Sequence, residues 1–207
     1  FIGAGVMAVV MIAGLLDEGV LDAERILASN RRADRSAELS EEYGIVTTTN
    51  NTEVAQRADV VVLSVKPQTL AKVLRELNGQ INPTATVLSI VAGASTAVLQ
   101  AGLGHARVAR CMPNLPCRIR QGMSVWAAPA DAESTDLDRI ESILGVMGEA
   151  IRVSDEGHVD RATAVNGTGP AIVAQFVKAM LEAAAYIGES RSVASETVLA
   201  TLVGTAQ

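Results

Sequence analysis

The opening stretch, Phe1-Ile2-Gly3-Ala4-Gly5-Val6-Met7-Ala8-Val9-Val10-Met11-Ile12-Ala13-Gly14-Leu15-Leu16, decides the fold. Residues 1–16 carry no charge, and Asp17 and Glu18 end the run. A membrane span needs about 20 apolar residues, and a secretory leader carries a basic segment ahead of its apolar one. The run meets neither requirement. Instead, Phe1–Ile2 has the character of a strand tail, and Gly3, Gly5 and Ala8 form G-x-G-x-x-A. Residues 6–18 follow with helical spacing, and Gly19 is placed to cap them. In that order each small residue has a task. Gly3 permits a tight turn, Gly5 lets backbone approach a pyrophosphate, and Ala8 keeps the helix close to the sheet. The helix N-terminus then offers its unsatisfied N–H groups to the anion.

Downstream, short β-branched runs alternate with amphipathic stretches, the pattern of a βαβ chain. Strands are predicted at 25–29, 45–48, 59–65, 85–91, 107–110, 122–127 and 150–153. The run at 59–65 (DVVVLSV) is apolar on both faces, as a strand covered on both sides must be. Helices are predicted at 34–43, 52–57, 69–77, 96–101 and 136–147. In the third of these, Leu70, Val73, Leu74 and Leu77 share a face. The strand at 122–127 falls near a sheet edge, and 150–153 closes the sheet. After Ser154 the strands stop, and helices are predicted at 159–165, 171–187 and 193–205. The expected architecture is a Rossmann-like α/β dinucleotide-binding domain over residues 1–155. The start of an all-α domain follows over 156–207.

Composition agrees. The chain has 207 residues, 49% hydrophobic but only 2% aromatic, so packing rests on aliphatic side chains. A formal net charge of −6 argues against a general nucleic-acid surface, and no stretch reaches spanning length, so neither nucleic acid nor membrane is expected as a partner. Two cysteines are too few for a disulfide framework, so a reducing, cytoplasmic setting is the default.

The second predicted strand ends in Ser29-Asn30-Arg31-Arg32. A site for NAD(H) usually places Asp or Glu there for the ribose 2′-OH. Hydroxyl, amide and guanidinium groups suit a 2′-phosphate instead, which favours NADP(H) over NAD(H). Lys66-Pro67 follows a central strand at its carboxyl end, where α/β ligands bind. Lys66 is either a cofactor contact or a solvated amine. Pro113 and Pro116 stiffen the loop holding Asn114, which has the groups to orient an amide such as nicotinamide. Cys111 and Cys117 have no neighbouring ligands for zinc, so no metal site is expected, and inert buried thiols fit better. His105 and His158 lack any triad context. Asn166-Gly167-Thr168-Gly169-Pro170 interrupts two helices, either as a plain turn or as a platform for a substrate carboxylate at a helix N-terminus.

Together these motifs resemble the pyrroline-5-carboxylate reductase family. The matching pieces are FIGAGVMA, the Ser29–Arg31 strand end, Asn51, SVKP at 64–67, VAG at 91–93, RCMPNLP at 110–116 and NGTGPA at 166–171. The resemblance implies that Ile2, Gly3, Ala4, Gly5, Val6, Met7, Ser29, Asn51, Ser64, Val65, Lys66, Pro67, Ile90, Val91 and Ala92 line an NADP(H) site. Ala8, Asn30, Arg31 and Asn114 are the cofactor candidates from the residue reading, and Gly167, Thr168, Gly169 and Pro170 are candidates for the substrate. Val6, Leu115 and Ile172 depart from residues usual in the family, without removing a group of known chemical task. The family's Ser-Pro-Gly-Gly-x-Thr loop has no counterpart here. The expectation is a chain shortened slightly at its front and substantially at its back.

By that resemblance the activity is NADPH-dependent reduction of 1-pyrroline-5-carboxylate to L-proline, the last step of proline biosynthesis. The hydride goes to the imine carbon. No catalytic acid or base is assigned, because the cofactor supplies the chemistry and the protein orients the reactants. Two alternatives stand beside it. One is a truncated homologue that binds NADP(H) without turnover. The other is a reductase like the 3-hydroxyacid dehydrogenases, which need a Lys in the first inter-domain helix. Residues 159–165 contain none, and Lys178 lies a helix later. Ala-rich residues 171–185 suggest burial against a partner, hence a homodimer or larger homo-oligomer.

Overall fold

The computed structural model describes residues 1–206. The chain forms two compact units, divided between Gly167 and Thr168. Seven strands lie in the first: β1 (Leu27–Ser29), β2 (Val46–Thr48), β3 (Val60–Leu63), β4 (Thr86–Ser89), β5 (Val108–Met112), β6 (Gly122–Ala127) and β7 (Gly148–Arg152). Ile2 bridges in parallel to Ser29 on one side and to Leu63 on the other. It thereby joins the β1–β2 pair to the sheet β3-β4-β5-β6-β7. The order β2-β1-Ile2-β3-β4-β5 is doubly wound, and the winding reverses between Ile2 and β3. In such sheets ligands bind beyond the carboxyl ends of the strands at that reversal.

Pairing is parallel except between β5 and β6, which run antiparallel. Between them lies only a short 3₁₀ turn, Leu115–Ile119, too little chain for a crossover helix. Strand β7 forms one edge of the sheet, with β6 just inside it.

Seven helices surround the sheet: α1 (Val6–Asp17), α2 (Ala33–Tyr43), α3 (Asn51–Arg57), α4 (Pro67–Leu77), α5 (Thr96–Leu103), α6 (Ser134–Gly145) and α7 (Gly157–Ala162). Alternation along β3 sends Val62 to one face and Val61 and Leu63 to the other, and all three are buried. Met11, Ile12 and Leu15 of α1 share the Val62 face with Ile140 and Leu144 of α6. Leu70, Val73, Leu74 and Leu77 of α4 cover the opposite face with Leu99 and Leu103 of α5. Each such side chain removed from water contributes about 1.5–3 kcal/mol. The faces are close-fitted: a Cβ on Gly14 would lie 2.7 Å from Val146 Cγ2.

Most elements differ by a few residues at their ends from the bounds read off the sequence, and two of these differences have a plain physical cause. Helix α4 begins at Pro67 rather than at residue 69, because proline's missing N–H and fixed φ suit the first helical position. The helix expected over 159–165 ends at Ala162 and gives way to a π turn, Thr163–Gly167. That turn stays with the first unit. The second unit comprises α8 (Gly169–Tyr186) and α9 (Arg191–Thr205), with Ser190 Oγ accepting from Val193 N to cap α9. Ala194 and Val198 are buried in it, while Ile172, Phe176, Leu199 and Val203 are exposed. Among the described residues, no helix is long and apolar enough to cross a membrane.

Candidate functional site

The glycine turn carries the chain from Ile2 into α1. Gly3 has φ +88°, a conformation that favours glycine. A Cβ there would also lie 2.9 Å from Val65 Cγ1 and 3.1 Å from the Ser64 carbonyl oxygen. Ser64 Oγ donates to the Gly3 carbonyl at 2.5 Å, and Gly3 N donates to the Ser29 carbonyl at 3.1 Å. The turn is thus tied to strands on both sides. Gly5 is different. Its φ is −78°, and nothing lies within 4 Å of where its Cβ would be. It occupies the N-cap of α1 with no side-chain cap and no acidic residue in the first turn. The helix end therefore keeps its positive pole facing open space. Ala8 is fully buried and Val6 exposed. A pyrophosphate fits this cradle, because Gly5 leaves free the space a side chain would fill.

Beside it, β1 ends in the proposed ribose tip. Ser29 is fully buried, and its Oγ donates to Asn51 Oδ1 at 2.7 Å. Asn51 Nδ2 in turn donates to Glu76 Oε2 at 3.2 Å. Asn30 Oδ1 accepts from Arg32 N at 3.0 Å, forming a tight turn. Arg32 is committed to Asp34, with Nε–Oδ1 at 3.1 Å and Nη2–Oδ2 at 2.6 Å. The guanidinium's hydrogen bonds hold the Asp34 carboxyl down at about 2. Arg31 is exposed and makes no ion pair among the described residues. Of the two arginines, Arg31 is the one available to a phosphate. The Arg32–Asp34 pair, only two residues apart, is the sequence signal that separates them.

Ser64–Lys66 and Ile90–Ala92 follow the carboxyl ends of β3 and β4. Ile90 N donates to the Leu63 carbonyl at 3.0 Å, and Val91 N to Ser89 Oγ at 3.3 Å. Lys66 is exposed at the N-cap of α4 and makes no ion pair among the described residues. The glycine turn, the Ser29–Arg31 tip and these two segments therefore all lie at the carboxyl ends of neighbouring central strands.

Asn114 does not take the place expected of it. Its side chain is not presented to an amide ligand but locked into the chain. Its Nδ2 donates to Asn166 Oδ1 at 2.7 Å, and its Oδ1 accepts from Met123 N at 3.0 Å. Asn166 Nδ2 donates to the Met112 and Met123 carbonyls at 3.1 and 2.8 Å. The two asparagines clasp the ends of β5 and β6 to the π turn, leaving backbone groups there paired rather than orphaned. In the sequence, Asn166 stands out only as the first residue of the break between two helices. Gly167 closes against this clasp, since a Cβ there would lie 2.5 Å from Met112 Cε. Thr168 precedes α8, and Gly169 and Pro170 form its first turn.

Both cysteines are free and buried, and burial raises both thiols above their ordinary range. His105 Nε2 lies 2.8 Å from the Ala85 carbonyl oxygen, a structural contact. His158 is exposed. Among the described residues, no group of three His, Cys, Asp or Glu side chains could hold a metal.

A doubly wound sheet, a glycine turn opening onto a free helix N-terminus, and a basic tip at the end of β1 define a dinucleotide-binding oxidoreductase class. Comparison with known proteins narrows it. Residues 1–93 match the family described as NADP oxidoreductase coenzyme F420-dependent, and residues 156–207 match pyrroline-5-carboxylate reductase dimerisation. A pyrroline-5-carboxylate reductase of Pseudomonas aeruginosa is 41% identical over all of this chain and 76% of its own length. The solved reductase of Coxiella burnetii is 34% identical with a TM-score of 0.92, covering all of this chain and 77% of that one. That of Plasmodium falciparum, solved with NADP bound, is 25% identical with a TM-score of 0.87, covering all of this chain and 76% of that one. The chain belongs to the pyrroline-5-carboxylate reductase family.

Proposed function

We propose that this protein reduces 1-pyrroline-5-carboxylate to L-proline with NADPH. The observation that carries the reading is the open cradle at Gly5, set at the winding reversal of a sheet whose chain belongs to this family. When bound, NADPH supplies the hydride for the imine carbon. The chain's own residues do the holding. Gly3–Ala8 receive the pyrophosphate through backbone amides at the α1 N-terminus. Ile2, itself fully buried, contributes backbone only. Ser29, Asn30 and Asn51 shape the ribose tip, and Arg31 pairs with a 2′-phosphate, which selects NADP(H) over NAD(H). Ser64–Pro67 and Ile90–Ala92 wall the remaining cofactor edge.

Gly167–Pro170 are proposed to serve the substrate carboxylate, supported by the helix that starts at Gly169. We place the division of labour at Asp155, cofactor work before it and substrate and self-association after it. The dimerisation match from residue 156 supports that division. The exposed apolar side chains of α8 and α9 support a homo-oligomer. Two free, buried cysteines agree with a cytoplasmic setting. The test is NADPH oxidation on adding 1-pyrroline-5-carboxylate, with L-proline quantified. Proline formed in step with NADPH consumed supports the reading, and folded protein giving neither refutes it.

A further inference from the structure

Glu156 precedes α7, outside every segment assigned to the cofactor. Its Oε1 accepts from Thr96 N at 2.7 Å and also from Arg110 Nη1. Arg110 Nη2 donates to Asp160 Oδ1 at 2.8 Å. The Arg110 side chain is 4% exposed, and a guanidinium so enclosed needs an anion. Asp160 alone supplies one. Glu156 therefore has a second task, which its bond to Thr96 identifies.

Thr96 is the first residue of α5 and ends the segment that leaves β4 through Ile90–Ala92. The near end of that segment is tied to β3 through Ile90 N. The segment then turns at Gly93, φ +74°. Ser95 Oγ caps α5 locally by accepting from Val98 N. Among the described residues, the far end is tied to distant chain by the Thr96 amide, across 60 residues of sequence. Helix α5 has no acidic residue in its first turn, so Glu156 supplies the negative charge that its positive pole favours. Burial pushes the Glu156 carboxyl up, but the Thr96 and Arg110 donors outweigh it and hold it below its ordinary range.

We propose that Glu156, held by Arg110, is a positioning residue for the cofactor segment Ile90–Ala92, acting through the Thr96 amide. The proposal rests on the NADP(H) reading of that segment. Two substitutions isolate the contact. Glu156→Ala removes the acceptor. Thr96→Pro removes the amide hydrogen together with the hydroxyl, at a first helical position where proline is tolerated, after a Ser95 already extended at ψ 155°.

NADPH affinity is read by fluorescence titration of the full chain, and loop order by amide hydrogen exchange over residues 91–98. Each variant is expected to bind NADPH about tenfold more weakly and to exchange faster, the size expected for loss of a charge-assisted hydrogen bond. The double variant is expected to bind no more weakly than either single one, because both remove the same contact. Glu156→Gln keeps an acceptor and restores binding to within about twofold of wild type. Asp160→Ala breaks only the other arm of Arg110. It lowers the melting temperature and leaves affinity and loop exchange alone. Wild-type affinity in Glu156→Ala, or an Asp160→Ala variant that weakens binding equally, overturns the proposal. Wild-type protein that does not bind NADPH, with loop exchange still governed by Glu156, refutes the cofactor reading and this proposal with it.

Discussion

Gly3 and Gly5 stand two residues apart, and the structure separates their roles in a way that substitution can measure. At Gly3 a methyl group meets two obstacles. The left-handed backbone at φ +88° costs about 1–2 kcal/mol for any L side chain. The new Cβ at 2.9 Å from Val65 Cγ1 and 3.1 Å from Ser64 O adds an overpacking penalty of about 1–3 kcal/mol. Gly3→Ala therefore destabilises by at least about 2 kcal/mol, lowering Tm by about 4 °C or more in a chain this size. At Gly5 neither obstacle exists. Valine or alanine there forfeits some N-cap preference, about 1 kcal/mol at most, and gains about 0.4–1 kcal/mol from a stiffer unfolded chain. These nearly cancel, so Gly5→Val keeps its Tm within about 4 °C of wild type. Its side chain nevertheless fills the space proposed for pyrophosphate. The assay pairs thermal denaturation without ligand with NADPH titration. Gly5→Val that melts like wild type but no longer binds NADPH supports the reasoning. Gly5→Val that binds NADPH as wild type does refutes it, and a large drop in its Tm refutes the claim of open space.

Three further outcomes are expected. Arg31→Ala weakens NADPH binding about tenfold or more and leaves NADH binding unchanged, whereas Arg32→Ala, whose partner is Asp34, does neither. Parallel titrations of the two cofactors decide this. Asn166→Ala strips the Met112 and Met123 carbonyls of a donor and Asn114 of an acceptor, and lowers stability by about 2 kcal/mol or more in urea denaturation. Glu156 has a folded carboxyl held below its ordinary 4.5, so its ion pair contributes stability above that pH. The contribution is lost as pH falls through the folded value. Acid titration of Tm should therefore fall more steeply in wild type than in Glu156→Gln, and equal slopes contradict this.

The parts of the fold legible from sequence were those governed by local period and backbone chemistry. The β-branched run at 60–63 could only be a strand covered on both faces, and Leu70, Val73, Leu74 and Leu77 could only share one helical face. The G-x-G-x-x-A spacing announced its turn because Gly3 meets a backbone demand set within a few residues. What escaped notice depends on partners far along the chain. Arg110 gives no hint of Glu156, 46 residues on, until α7 packs against β5. Asn114 looked free to orient an amide because its captor, Asn166, lies 52 residues away. The antiparallel direction of β6 rests on local information instead, for the short stretch joining it to β5 is itself visible in the sequence. Arg32 is a like case, for its partner Asp34 was in plain view at i+2.

The central claim is hydride transfer from NADPH to the imine carbon of 1-pyrroline-5-carboxylate, and isotope tracing tests it most directly. NADPH carrying deuterium at the transferable nicotinamide position is incubated with the protein and 1-pyrroline-5-carboxylate, and the proline formed is analysed by NMR and mass spectrometry. The account predicts L-proline with one deuterium on Cδ, the ring carbon next to nitrogen and away from the carboxylate. Folded protein that binds the deuterated NADPH yet forms no proline, or forms proline without deuterium at Cδ, contradicts it.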